Sequence, residues 1–249
     1  MKIKNRSVLI TGGASGIGAA MVRTFRKDRY MVVFTDINAA AGREMKAEGV
    51  FFFKRDVRVF EDCELLMSNV VYNACIRSLD VLIANVGKND GLSTDEVHVH
   101  EWKSSIELNL HSVFNTVKAA LPYLQDYARI ILVSSLVGMV GQKGSLPYTA
   151  AKSAIIGMAK TLALDLAPKG ITVNALCPHA VETPMLHTWA ASQPDGEEKT
   201  LERLRLPIPL GRFVQPEEVA AGALFLASEG AKSITGTTLL MNGGASLGC

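Results

Sequence analysis

The sequence predicts an α/β protein on a doubly wound parallel sheet, and three observations carry that expectation. Short runs rich in Val, Ile, Leu and Phe recur along the chain without alternating polar residues, as in strands covered on both faces. Longer stretches with helical periodicity separate them. Strand–helix–strand alternation requires right-handed crossovers, so neighbouring strands run parallel with helices on both faces.

The seven strand segments are SVLI at 7–10, MVVFT at 31–35, VFFFK at 50–54, VLIA at 81–84, IILVS at 130–134, TVNAL at 172–176 and TLLM at 238–241. Helical patterns fill 17–27, 39–47, 60–77, 102–124, 148–167 and 216–227. The helix over 148–167 is apolar nearly all round, including Ala150, Ile155, Met158 and Leu164. A helix resting on one face of a sheet should carry a polar outer side, so its second face is expected to be covered too. Residues 185–206 hold no clear strand, and such a stretch in a compact unit is expected to be a substrate lid or a mobile loop. No linker or repeat divides the chain, so residues 1–249 are expected to form one domain.

Composition narrows the function classes. A net charge of +2 over 249 residues argues against nucleic acid or an anionic membrane as partner. No apolar run is long enough to span a bilayer, and residues 1–6 lack the apolar core of a secretion signal. The four cysteines, Cys63, Cys75, Cys177 and Cys249, fit no zinc spacing and are expected as free thiols. The expected location is the cytoplasm. His98 and His100 lie near Asp95 and Glu96, but a solvated loop is the expected reading, and no metal is predicted.

The segment from Thr11 to Gly18, TGGASGIG, follows the first strand and opens the first helix. Gly12, Gly16 and Gly18 allow a tight turn and close approach of the backbone to a pyrophosphate. Ser15, Ile17 and the helix N-terminus offer free N–H groups and a positive dipole end. Asp36 ends the second strand, 18 residues after Gly18. A carboxylate there accepts from both ribose hydroxyls and repels a 2′-phosphate, so NAD is expected rather than NADP. The alternative is that Asp36 only caps the helix starting near Asn38.

Ser135 ends the fifth strand, Tyr148 stands 13 residues later, and Lys152 follows after four more. Positions i and i+4 share a helix face, so the phenol and the ammonium can converge at the carboxyl end of the sheet. A free tyrosine, with a pKa of about 10, is too weak an acid for proton transfer near neutrality. Lowering it by two to three units takes about 3–4 kcal/mol. An ammonium about 4 Å away supplies about 1 kcal/mol in water but about 4 kcal/mol at an effective dielectric near 20. The pair is therefore expected to work in a dehydrated site, with Ser135 bonding the substrate oxygen and Asn109 placing a water that links Lys152 to solvent.

On these residues the chain resembles the short-chain dehydrogenase/reductase family along essentially its whole length. Beyond the glycine turn and the Ser135/Tyr148/Lys152 set, the resemblance rests on Asp56-Val57, Asn85 and Gly87, Asn109, the segment NALCP at 174–178, Thr183, PEEVA at 216–220 and Gly243-Gly244. It implies a seven-stranded Rossmann-type sheet and a homotetramer or dimer, with the helix over 148–167 and the helix around Asn109 at a subunit interface. It also implies that Asp56 and Val57 bracket the adenine, that Asn85 lies along the cofactor, and that Val181 and Thr183 hold the nicotinamide carboxamide. Asn109, Ser135, Tyr148 and Lys152 are then catalytic.

Three positions depart from the family pattern. Ala84 replaces an asparagine, Pro178-His179 replaces Pro-Gly, and no glycine stands at Asp28-Arg29-Tyr30. His179 could contact a polar substrate group or simply face solvent. The expected activity is hydride transfer between NAD(H) and a secondary alcohol or ketone. The alternatives are a 3-oxoacyl carrier reductase using NADPH and a non-catalytic NAD(H)-binding regulator. The substrate pocket is expected around residues 141–146, with Gln142, His179, Leu186, His187 and Trp189.

Overall fold

The computed structural model describes residues 6–74 and 76–247. Cys75, Cys249 and the basic N-terminal residues lie outside them. Seven parallel strands, β1 (Ser7–Thr11), β2 (Met31–Asp36), β3 (Val50–Lys54), β4 (Leu79–Ala84), β5 (Leu124–Val133), β6 (Thr172–Pro178) and β7 (Thr238–Met241), form one sheet. Their order is β3-β2-β1-β4-β5-β6-β7. The order reverses between β1 and β4, which opens a crevice at the carboxyl ends of the strands, the place where such sheets bind ligands.

The helices are α1 (Gly16–Lys27), α2 (Ala39–Glu44), α3 (Phe60–Tyr72), α4 (Val99–Ile106), α5 (Ser112–Ala120), α6 (Val137–Val140), α7 (Leu146–Leu166), α8 (Pro184–Ala191), α9 (Glu197–Arg205) and α10 (Pro216–Leu226). Successive strand residues point to opposite faces, and two buried cores result. Leu9, Val33, Leu82 and Ile130 face α3, α5 and α7, where they meet Leu66, Val117 and Ile155. Val8, Ile10, Val32, Phe34 and Ile83 face α1 and α10, where they meet Met21, Phe25 and Val219. No helix among the described residues is long and apolar enough to cross a membrane.

Several boundaries differ from expectation. The helix expected over 102–124 is broken into α4, a π-turn at Glu107–His111, α5 and a 3-10 turn at Leu121–Tyr123. Pro122 has no N–H to continue the ladder, and Leu124 already pairs with Leu79 as the start of β5. The helix expected over 60–77 stops at Tyr72, and the one expected over 39–47 stops at Glu44 because Ala47 bridges back to Val50. Residues 185–206 are largely two short helices, α8 and α9. Where a glycine is missing, Arg29 adopts the left-handed φ of +69° itself. That conformation costs a side-chain-bearing residue about 1–2 kcal/mol.

Candidate active site

The glycine turn is packed main chain against main chain. A Cβ on Gly18 would lie 1.9 Å from the Gly12 carbonyl oxygen, and Gly12 itself sits at φ +66°. Any side chain at Gly18 would push the turn away from the helix it opens. Ser15 precedes α1 with its side chain making no cap bond, and the first turn holds no acidic residue. Its N–H groups and dipole therefore face the crevice without a protein anion. Asn85 ties the turn to β4: its Nδ2 donates to the Thr11 carbonyl at 3.1 Å and the Gly12 carbonyl at 3.2 Å. Asn85 thus braces the turn, while Ala84 is packed in the core.

Asp36 is half-buried at the end of β2. One of its oxygens accepts from the Ala14 N–H at 3.1 Å and the other from the Asn38 N–H at 2.9 Å. Its neighbour Ile37 is 63% exposed and brings no positive charge. The helix-capping alternative falls to Asn38, whose side chain caps α2 by accepting from Ala41 N–H. Asp56 and Val57 line the same cavity. The Asp56 carboxylate is engaged by Arg58, whose NH2 donates to it at 2.6 Å. That pairing holds the Asp56 carboxyl below its ordinary range. Arg58 was not anticipated from sequence, because an i, i+2 pair in a loop carries no periodic signal.

Ser135, Tyr148 and Lys152 meet across the crevice. Ser134 anchors β5 to α7 by donating from its hydroxyl to the Lys152 carbonyl at 2.7 Å. Lys152 is 2% exposed, and its ammonium donates to the Val133 carbonyl at 2.9 Å and lies 5.5 Å from the Tyr148 ring centroid. The Ser135 hydroxyl faces that of Tyr148 and favours its ionised form. Gly87 makes room for the cluster, since a Cβ there would come 2.8 Å from Lys152 Nζ and 2.9 Å from Asn109 Oδ1. Asn109 is fully buried in the π-turn. Its Oδ1 accepts from the Lys88 N–H at 2.8 Å, and its Nδ2 donates to the Lys88 carbonyl at 3.0 Å.

The titration of the pair differs from the expectation. Burial pushes the Tyr148 phenol up to about 12, outweighing Ser135. Burial likewise draws Lys152 down to about 8. The physical reason is that both groups leave water without an anion or a second cation beside them, so the neutral form of each is favoured. The ammonium is turned to a backbone carbonyl, so its Coulomb effect on the phenol does not win.

A single cavity of about 570 Å³ runs from Gly12 and Asp36 to Tyr148 and on to Trp189. On its far side Val181 bridges Val214, and Thr183 caps α8 with its hydroxyl oxygen 3.3 Å from the Leu186 nitrogen. Thr183 also packs against Gly16, since a Cβ there would lie 3.4 Å from the threonine methyl. Leu186, Trp189, Gln142 and His179 line this end, as expected. His187 does not line it. Its ring joins Glu182 through Nε2 and Glu197 through Nδ1, the latter at 2.7 Å. On a short helix, adjacent positions 186 and 187 face about 100° apart, so Leu186 turns inward and His187 outward. Of residues 141–146, Gln142 reaches the cavity.

The donor set suits a nicotinamide dinucleotide: a cradle that a Cβ would fill, an uncompensated helix N-terminus and a carboxylate about one βα unit further on. A family model described as enoyl-(acyl carrier protein) reductase matches residues 12–246. L-fucose dehydrogenase of Bos taurus is 40% identical over 245 residues, covering 97% of this chain and 89% of its own. The 3-oxoacyl-(acyl-carrier-protein) reductase of Thermotoga maritima is 35% identical over 252 residues, covering 98% and 99%. A solved structure described as a short-chain dehydrogenase/reductase, glucose/ribitol dehydrogenase, from Brucella melitensis superposes with a TM-score of 0.89 at 28% identity, covering 98% of this chain and 99% of that one. With the fold, the crevice and these relatives together, the chain belongs to the short-chain dehydrogenase/reductase family and is an oxidoreductase that moves a hydride between a nicotinamide cofactor and an alcohol or ketone carbon.

Proposed function

We propose that the protein is an NAD-linked dehydrogenase of a hydroxylated small molecule, with Tyr148 as the proton-transferring residue. The observation that carries the reading is that Ser135, Tyr148 and Lys152 share one cavity with Asp36 and the glycine turn. Gly12, Ser15, Gly16, Ile17 and Gly18 hold the pyrophosphate, Asp36 the adenosine ribose, and Asp56 and Val57 the adenine, with Asn85 along the cofactor. Val181 and Thr183 hold the carboxamide. Asp36 beside the uncharged Ile37 favours a free ribose diol over a 2′-phosphate, which would meet a carboxylate and no cation from these two residues.

When bound, the nicotinamide ring accepts or donates the hydride and, oxidised, adds a positive charge. The phenol of Tyr148, at about 12 in the protein alone, stays protonated at neutral pH but is a weaker acid than free tyrosine, so donation toward a substrate carbonyl also needs positive charge beside it. To take a proton from an alcohol it must ionise, which needs positive charge beside it in a site closed to water. Lys152, at about 8, is still largely protonated at neutral pH and can pass its proton outward. Ser135 holds the substrate oxygen against Tyr148. Asn109 fixes the Lys88 backbone and the π-turn, and so the entry for the relaying water.

Helices α8 and α9 act as the substrate lid. Leu164, 77% exposed, and Phe114, 53% exposed, mark apolar outer faces of α7 and α5 that fit an interface between copies of the chain. A second reading, a 3-oxoacyl carrier reductase, has support from the Thermotoga maritima relative, but the NADPH such enzymes usually take is opposed by Asp36. The test is NADH or NADPH formation with sugars, secondary alcohols and 3-hydroxyacyl thioesters. Tyr148→Phe should keep NADH binding and lose about 10²–10⁴-fold in turnover. A fully active Phe variant overturns the role of Tyr148, and a preference for NADP⁺ overturns that of Asp36.

A further inference from the structure

We propose that His179 selects the substrate by hydrogen-bonding a second, uncharged hydroxyl beside the reacting carbinol of a polyhydroxylated ring. This rests on the active-site reading above and adds the substrate class to it. His179 directly follows β6, and its main-chain N–H donates to the Met241 carbonyl at 3.0 Å. The preceding carbonyl, of Pro178, accepts from the Leu136 N–H at 2.9 Å and lies 3.5 Å from the Ser135 hydroxyl. The backbone carrying His179 is therefore fixed one residue from a direct neighbour of Ser135, and the residue lines the same cavity as Ser135 and Tyr148.

The ring itself lacks partners. His179 is half-buried, and among the described residues neither ring nitrogen has a hydrogen-bond or ionic partner. Burial is the one influence on its titration, and it draws the pKa down. The ring lines the substrate end of the cavity with both nitrogens free of partners among the described residues, so a group entering the cavity can engage them. A neutral imidazole offers one N–H donor and one acceptor. A hydroxyl, which also donates and accepts, is its complement. A carboxylate or phosphate would call for free cations, and each cation lining the cavity already makes at least one hydrogen bond or ion pair. Lys88 Nζ pairs with Asp90 at 2.9 Å, Arg58 with Asp56, Arg55 donates to Asn69 at 2.9 Å, and Lys152 donates to Val133.

The rest of that end agrees. Gln142 and the Trp189 indole add neutral polar groups with no partner among the described residues, set among Val137, Met185 and Leu186. Neutral hydrogen-bonding groups on otherwise apolar walls match a ring with several hydroxyls and apolar faces. Because the family pattern has glycine at this position, the preference belongs to this chain's own residue.

The experiment compares L-fucose, a wider aldohexose panel and cyclohexanol with NAD⁺, for the unmodified protein, His179→Ala and His179→Asn. Removing one partner of a hydrogen bond to an uncharged hydroxyl should lower sugar kcat/KM about 10- to 100-fold in His179→Ala, with a much smaller loss on cyclohexanol. His179→Asn, which keeps a donor and an acceptor, should recover part of the loss. Equal loss on sugars and cyclohexanol, or no loss on either, overturns the role of His179. Turnover of cyclohexanol or of a 3-hydroxyacyl thioester but of no sugar by the unmodified protein overturns the substrate class while leaving Tyr148 in place. Absence of turnover on every substrate, with NADH still bound, brings down the active-site reading and this inference with it.

Discussion

On the β1–α1 wall of the cleft, main chain packs on main chain, whereas on the α8–α9 wall side chains make the contacts. Gly18 approaches Gly12 so closely that no Cβ fits, and Asn85 stitches the turn to β4 through two carbonyls. Opposite, α9 is linked to the β6–α8 loop through His187, which bonds Glu182 and Glu197, all at least partly exposed. Exposed ion pairs contribute little and are screened by salt. The first wall therefore presents a fixed surface to the constant part of a ligand. The second is joined by side chains, through those ion pairs and the packing of Leu186, Leu201 and Leu204 with Ile208 and Phe213.

The sharpest way to break this contrast is Gly18→Ala. Overpacking the turn should cost about 1–3 kcal/mol of stability and weaken NADH binding about tenfold or more, read by urea unfolding and fluorescence titration. A variant with unchanged stability and affinity would mean that the turn yields to the added methyl. Asp36→Ala removes a charged acceptor worth about 1.5–3 kcal/mol and should shift the NAD/NADP preference about 10- to 100-fold toward NADP. An unchanged ratio of the two kcat/KM values would locate cofactor choice elsewhere.

Lys152→Met separates function from stability. The buried ammonium is held below its ordinary pKa of 10.5, at about 8, so folding at neutral pH keeps a proton that burial disfavours. Its replacement should raise the stability of the cofactor-free protein by about 0.5–2 kcal/mol while turnover collapses. A less stable Met variant would show that the bond to Val133 outweighs desolvation.

The smallest effect is expected at His187, whose pKa the two carboxylates raise above 6.5. A raised histidine contributes fully below its unfolded pKa, and the contribution fades as pH rises through the folded value. The Tm difference between the unmodified protein and His187→Gln should therefore be largest near pH 6, with the carboxylates ionised, and vanish above the raised pKa. A difference independent of pH would mean that α9 is held instead by the packing of its Leu201 and Leu204 with the cluster of Leu136, Ile208 and Phe213.

Much of the first wall was legible in the sequence and much of the second was not. Glycine spacing after a strand, a carboxylate closing the next strand and the i, i+4 phenol–ammonium pair are local regularities that chain geometry converts directly into position. Residues 185–206 showed no strand pattern, and the short helices α8 and α9 that they form turn His187 outward. Arg29 shows a third case: a turn can keep its left-handed geometry after losing the residue that marks it.

The amino-acid order alone determined the alternation of strands and helices, the place of the glycine turn and the residues proposed to carry the chemistry. Tertiary structure decided that β4 lies beside β1, that Arg58 engages Asp56, that His179 faces the cavity without a partner, and that burial rather than the nearby ammonium governs the Tyr148 phenol. The reason is one of range. Periodicity and turn chemistry act over a few residues, whereas desolvation depends on everything packed around a group, and those neighbours are far away along the chain.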